Sequence, residues 1–122
     1  MKAIVLFAHG SRDPLWHRPI QVVAERVAML QPGVKVVCAY LEFNSPSLEN
    51  AVNDLVNQGF DNLRLVPMFL GVGKHVREDL PNMLAELGQR FPGLALETLP
   101  AVGEHPDLLQ LIAEIVLEGW QA

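Results

Sequence analysis

The chain has 122 residues, a formal charge of −5 and one cysteine, and apolar residues (AVILMFWYC) make up 50% of it. That length fits one domain, and a chain of this size buries about two thirds of its unfolded surface, enough for a core without staples. The composition excludes disorder, the acidity argues against non-specific binding of nucleic acid, and a lone Cys38 permits no internal disulfide and suits a reducing compartment. Counted with its nine glycines, the apolar share exceeds the usual ~45–50%, which hints at a buried partner surface.

The first apolar run, Ala3–Ala8, follows a single Lys2 and is too short for a signal peptide's apolar region or a membrane span. It reads as a strand. Trp16, Ile20, Val23, Val27 and Leu30 then recur at steps of three and four, and Gln31-Pro32-Gly33 ends that helix. Val34–Leu41 is the second strand. Leu48, Val52, Leu55 and Val56 mark the second helix, with Ser45 or Ser47 as its N-cap and Gly59 just past its end. Leu63–Leu70 is the third strand, and Val76, Leu80, Met83, Leu84 and Leu87 stripe a helix closed by Phe91-Pro92-Gly93. Leu94–Leu99 is the fourth strand, followed by a last helix through Leu108, Leu111, Ile112 and Ile115 that closes near Gly119.

The runs are continuous rather than alternating, as suits strands covered on both faces, and the order is βαβαβαβα. The expected fold is therefore α/β: a parallel sheet with right-handed crossovers and helices on both faces. No linker, charge block or low-complexity stretch divides the chain, so residues 1–122 are expected to form one soluble, cytoplasmic domain with no nucleic-acid or membrane partner.

Ligands of such sheets sit beyond the carboxyl ends of the strands. There the sequence places His9-Gly10-Ser11-Arg12, then Glu42-Phe43-Asn44, then Gly73-Lys74-His75-Val76-Arg77, and finally Gly103-Glu104-His105. His9, Glu42 and His75 are spaced 33 residues apart, close to the ~30 of one βα unit, so the three can stand at successive strand ends. Two imidazoles and a carboxylate suit an open site for a divalent transition metal. Ordinary roles stay open for each: His9 could hold its loop, Glu42 could pair with Arg12 or Arg64, and His75 could be a solvated helix-start residue. His17 and His105 read as structural, and Cys38 as a small core residue. Arg12, Lys74 and Arg77, with Arg18 near them, put much of the scarce positive charge beside the two histidine loops, where an anionic substrate would be received. The glycines around Val72 lack the spacing of a phosphate loop, and Ser11 lacks a nucleophile elbow.

Ala8-His9-Gly10-Ser11-Arg12, Leu41-Glu42, Val66-Pro67-Met68-Phe69-Leu70, Gly73-Lys74-His75 and Asp79-Leu80-Pro81 together resemble the CbiX-type sirohydrochlorin chelatases over residues 3 to about 118. The resemblance implies a four-stranded, flavodoxin-like parallel sheet of the class II chelatase kind. It implies ATP-independent insertion of cobalt, or in relatives nickel or iron, into sirohydrochlorin, with no organic cofactor. It gives His9 and His75 the two catalytic, metal-binding positions, and it gives Glu42 a looser metal-binding one. Because short members of the family are similar to homodimers, it also implies a second copy as partner.

On that reading the histidines bind the metal and help deprotonate the pyrrole nitrogens, since a neutral imidazole, with an ordinary pKa of ~6.5, can do both. Gly10, Ser11, Arg12, Lys74 and Arg77 are the expected substrate-binding residues, the cations engaging the macrocycle's carboxylates, while Leu70, Val72 and Val102 line its faces. Two competing readings exist. A dimeric protein could carry metal or tetrapyrrole without converting it. A histidine-nucleophile phosphoryl transferase would want arginine before the histidine, where Ala8 stands.

Overall fold

The computed structural model describes residues 1–120. Four strands, β1 (Lys2–Ala8), β2 (Lys35–Tyr40), β3 (Asn62–Pro67) and β4 (Ala95–Thr98), alternate with α1 (Arg18–Leu30), α2 (Leu48–Asn57), α3 (Lys74–Arg90) and α4 (Pro106–Val116). The sheet is fully parallel in the order β2-β1-β3-β4, with Ala8 beside Tyr40 and Phe7 beside Pro67. This is the flavodoxin-like pattern, whose switch point lies between the first and third strands.

One face of the sheet makes the core. Val5, Phe7, Ala39, Leu63 and Leu65 pack there against Val52 and Leu55 of α2 and Leu87 of α3, all nearly inaccessible. The helix starts are fixed locally. Ser47 Oγ accepts from the Asn50 amide (3.2 Å) and Asp13 Oδ1 from the Leu15 amide (2.9 Å), filling donors that the first turn leaves unpaired. Gly59 ends α2 with φ +96°, a conformation that favours glycine. Inside α3, Pro81 has no amide to offer the Arg77 carbonyl, so the segment that carries His75 is less firmly tied to the rest of the helix.

The expected elements are present with three shifts. First, β3 stops at Pro67: Phe69 turns into the core while Leu70 is exposed. Second, Trp16 belongs to a 3-10 turn, Pro14–His17, and it is exposed with Leu30, so only part of the expected α1 stripe faces the sheet. Third, in α4 only Leu108 and Ile112 are half-buried, whereas Leu109, Leu111, Ile115 and Val116 lie open. That helix packs chiefly on the 3-10 turn Val102–Glu104. On the face of the sheet opposite the core, β3 and β4 carry an exposed Arg64–Glu97 ion pair (2.9 Å). Cys38 is half-buried on the edge strand β2 rather than deep in the core.

Candidate functional site

The switch point brings together the loops after β1, β2 and β3. Backbone bonds continue the sheet past its strands: the Leu41 amide donates to the Ala8 carbonyl (2.9 Å) and the Met68 amide to the Phe7 carbonyl (2.7 Å). His9 therefore leaves the sheet between the two neighbouring loops. Its ring lies against Phe69, centroids 4.7 Å apart, and its Nδ1 is 3.0 Å from Glu42 Oε1. An ionised carboxylate only accepts, so in the neutral imidazole this contact selects the tautomer with hydrogen on Nδ1 and a lone pair on Nε2. The pair is half exposed, and thus reachable.

Gly10 is required here by contact. A Cβ on it would lie 1.7 Å from the Glu42 carbonyl oxygen and 2.6 Å from Asn44 Oδ1. Gly103 is required in the same way, 1.6 Å from the Leu70 carbonyl oxygen, which lets the loop after β4 close on the loop after β3. Ser11 donates its amide to Asn44 Oδ1 at 2.7 Å. Arg12 is not paired with Glu42; its guanidinium lies over the exposed Phe43 ring, 5.2 Å from the centroid. Trp16 Nε1 donates to the His9 carbonyl (3.3 Å), and with Ala8, Leu15, Ile20 and Met68 it lines a cavity of about 280 Å³ beside the histidine.

His75 is the second residue of α3 and is exposed. Among the described residues, no three of His, Cys, Asp and Glu stand close enough to hold a metal ion together, so the expected His9, Glu42 and His75 group is assembled only as the His9–Glu42 pair. His9 and Glu42 stand one and two residues beyond the ends of β1 and β2, whereas His75 lies eight residues beyond the end of β3, inside α3, and β1 separates β2 from β3. Lys74 is exposed beside His75, and Arg77 lies on the rim of an apolar cavity of about 270 Å³ bordered by Val72, Val76, Leu80 and Leu99. Leu70 is exposed, and Val72 and Val102 are half-buried.

The remaining histidines are structural. His105 caps α4, its Nδ1 accepting from the Asp107 amide (3.1 Å). His17 sets its ring edge-on to Tyr40 (4.7 Å), with both ring nitrogens buried and unpartnered. Sequence reading did not single out Asn44, Phe69 or Trp16 as site residues. Asn44 had one signal, its place two residues beyond Glu42 at a strand end.

The CbiX family model matches residues 3–118. A sirohydrochlorin cobaltochelatase of Methanopyrus kandleri is 34% identical over 84 residues, 69% of this chain and 59% of that protein, so the chain spans less than two thirds of that relative. A second, from Sulfolobus acidocaldarius, is 28% identical over 117 residues, covering 96% of this chain and 94% of the other. The crystal structure of a CbiX protein from Marinobacter aquaeolei superposes with a TM-score of 0.81 at 32% identity, covering 98% and 97% of the two chains. SirB of Bacillus subtilis, solved with cobalt, gives 0.78 at 21% identity over 96% of this chain and 50% of that one, a likeness of fold.

Proposed function

The chain belongs to the CbiX family, and from that premise we propose that it is a sirohydrochlorin chelatase, inserting cobalt(II), with nickel(II) or iron(II) as alternatives, without ATP or an organic cofactor. The observation that carries this is the His9–Glu42 pair at the switch point: an oriented imidazole with its Nε2 free, reachable from solvent. The relatives named sirohydrochlorin cobaltochelatase support the choice of substrate and metal.

Insertion replaces two pyrrole protons by M²⁺. His9 Nε2 takes the metal; His75, not gathered with the His9–Glu42 pair in the free protein, reaches it as the second ligand when metal and macrocycle are bound, and solvent completes the sphere until the pyrrole nitrogens replace it. The two pyrrole protons leave as the metal–nitrogen bonds form, and each imidazole takes one up at the ring nitrogen that the departing metal vacates. Glu42 acts through His9, since one of its oxygens is already committed to Nδ1. Gly10 and Ser11 shape the floor of the site, and Arg12, Lys74 and Arg77 meet the macrocycle's carboxylates by charge-assisted hydrogen bonds. Exposed Leu70, with Val72 and Val102, borders its faces.

The unit that works is a cytoplasmic homodimer of this one domain, residues 1–122. Support comes from α4, whose Leu111 and Ile115 lie exposed one turn apart on the same face, with Leu109 and Val116 exposed beside them.

The test is an anaerobic absorbance time course with sirohydrochlorin and each metal. Many turnovers above the protein-free rate would establish a chelatase and rank the metals. A change that stops at one equivalent per site would mean a carrier of metal or tetrapyrrole instead.

A further inference from the structure

We infer that Asn44 is a positioning residue for His9, holding the imidazole in the Nδ1–H tautomer that leaves Nε2 free. The consequence for chelation rests on the function proposed above; the tautomer itself does not.

The loops after β1 and β2 meet at Gly10 with no room for a side chain between them. Two side-chain hydrogen bonds cross that contact, His9 Nδ1 to Glu42 Oε1 at 3.0 Å and the Ser11 amide to Asn44 Oδ1 at 2.7 Å. They flank Gly10, one on each side. Glycine supplies no steric restraint on its own dihedrals, so the angle at which His9 leaves the strand is set by what anchors Ser11. Asn44 is that anchor.

Asn44 is itself fixed to Glu42. Its amide donates to the Glu42 carbonyl at 2.8 Å, closing a three-residue turn around Phe43, whose φ is +66°. A bulky residue at positive φ is strained and persists where its surroundings hold it. The surroundings here are that hydrogen bond and the Arg12 guanidinium over the Phe43 ring. Asn44 thus couples the carbonyl of Glu42 to the amide of Ser11, and so sets the separation of the carboxylate from the imidazole. What the place requires is an oxygen acceptor at this reach, which the Asn44 side chain supplies to the Ser11 amide.

Without that anchor, His9 is free to swing from Glu42 and mix its two neutral tautomers, the Nε2–H form presenting N–H where a lone pair is needed. The test reads ring-nitrogen NMR shifts of His9 in protein free of metal and tetrapyrrole. The native chain should give the Nδ1–H pattern, and Asn44→Ala the mixed pattern that Glu42→Ala also gives. Asn44→Asp, which keeps the oxygen acceptor, should restore the native spectrum. A native-like spectrum from a folded Asn44→Ala protein would overturn the inference. Asn44→Ser, too short to reach Ser11, serves in its place if the alanine variant does not fold, with the same reading.

Turnover adds a second arm. Asn44→Ala should lower kcat about 10–100-fold, as loss of a ligand's orienting partner does, with KM for the tetrapyrrole little changed. In a Glu42→Ala background the same change should cost little more, because the pair it serves is gone. Full additivity would overturn the catalytic part. Absence of turnover in the native protein would instead reject the chelatase reading, leaving the tautomer to be decided by NMR.

Discussion

His9 and Glu42, 33 residues apart in the chain, meet at 3.0 Å because β1 and β2 are adjacent parallel strands whose register sets Ala8 beside Tyr40. The same spacing recurs in Ser11 with Asn44 and in Arg64 with Glu97. Replacing Glu42 by glutamine keeps the shape and removes the charge, and the amide can present nitrogen as readily as oxygen to Nδ1. Chelation should fall about 10–100-fold with the fold retained. Steady-state rates beside a circular dichroism spectrum check this, and a rate within twofold of native would remove Glu42 from the mechanism.

His75 gives a sharper contrast between activity and stability. It is exposed at the start of α3, so His75→Ala should change unfolding free energy by less than about 0.5 kcal/mol. On the proposed function its removal should nonetheless abolish measurable turnover. A denaturant midpoint close to native, together with lost chelation, is the expected pair of results. Near-native turnover would show that His75 is only a solvated residue.

The spacing of His9, Glu42 and His75 was legible in the sequence, but its meaning was only half legible. Strand runs, crossover helices and strand-end loops follow from hydrophobic pattern and turn residues, which act locally. Sheet order does not. Nothing in the apolar runs says that β1 lies between β2 and β3, or that β3 ends at Pro67, eight residues before His75; the first brings the loops of His9 and Glu42 together, and the second leaves His75 in α3, away from the strand ends. Likewise Ser47 was readable as a cap, whereas the clash that forbids a side chain at Gly10 involves a carbonyl 32 residues away. Trp16 and Leu30 carried a helical period yet lie exposed, Trp16 in the 3-10 turn before α1 and Leu30 at the last residue of the helix, while Ile20 and Val27 between them stay half-buried.

Gly10→Ala tests that close approach. The added methyl cannot coexist with the Glu42 carbonyl at 1.7 Å, so one loop must move. A cost of about 1–3 kcal/mol is expected, as for overpacking elsewhere, together with loss of the His9–Glu42 contact and of chelation. Thermal unfolding and turnover measured on one preparation check both. Unchanged stability with full activity would mean that the loops are not held together as described.

Cys38 supplies a pH-dependent prediction. Partial burial pushes its thiol above the ordinary value of 9.0, and the neighbouring Tyr40 side chain only partly offsets this. Burial and Cys38 push the Tyr40 hydroxyl above 10.0 in turn. The folded state therefore holds both protons more tightly than the unfolded chain. Their contribution to stability is whole below the unfolded thiol value of ~8.5 and is lost as pH rises through the folded values. Alkylation of Cys38 by iodoacetamide at pH 8 should be slower than that of a free thiol and should accelerate only above about pH 9, since the thiolate is the reactive form. Tyr40→Phe removes the partner that favours the thiolate and should slow the reaction further. Fast labelling at pH 7 would contradict the burial.

The exposed face of α4 carries the last prediction. Leu111 and Ile115 lie open, one turn apart on the same face of an apolar helix whose main contact within the chain is one 3-10 turn, and nothing in their local packing requires them to be apolar. If that surface meets a second copy, Leu111→Asp with Ile115→Asp sets four like charges across a twofold contact, and their burial without partners is costly. The native protein should sediment as a dimer at micromolar concentration and the double variant as a monomer with its circular dichroism unchanged. Because His9, Glu42 and Asn44 belong to the loops after β1 and β2, the His9 ring-nitrogen spectrum should survive dissociation. A monomeric native protein would leave the apolar face of α4 without its proposed partner, and a double variant that stays dimeric would move the interface elsewhere.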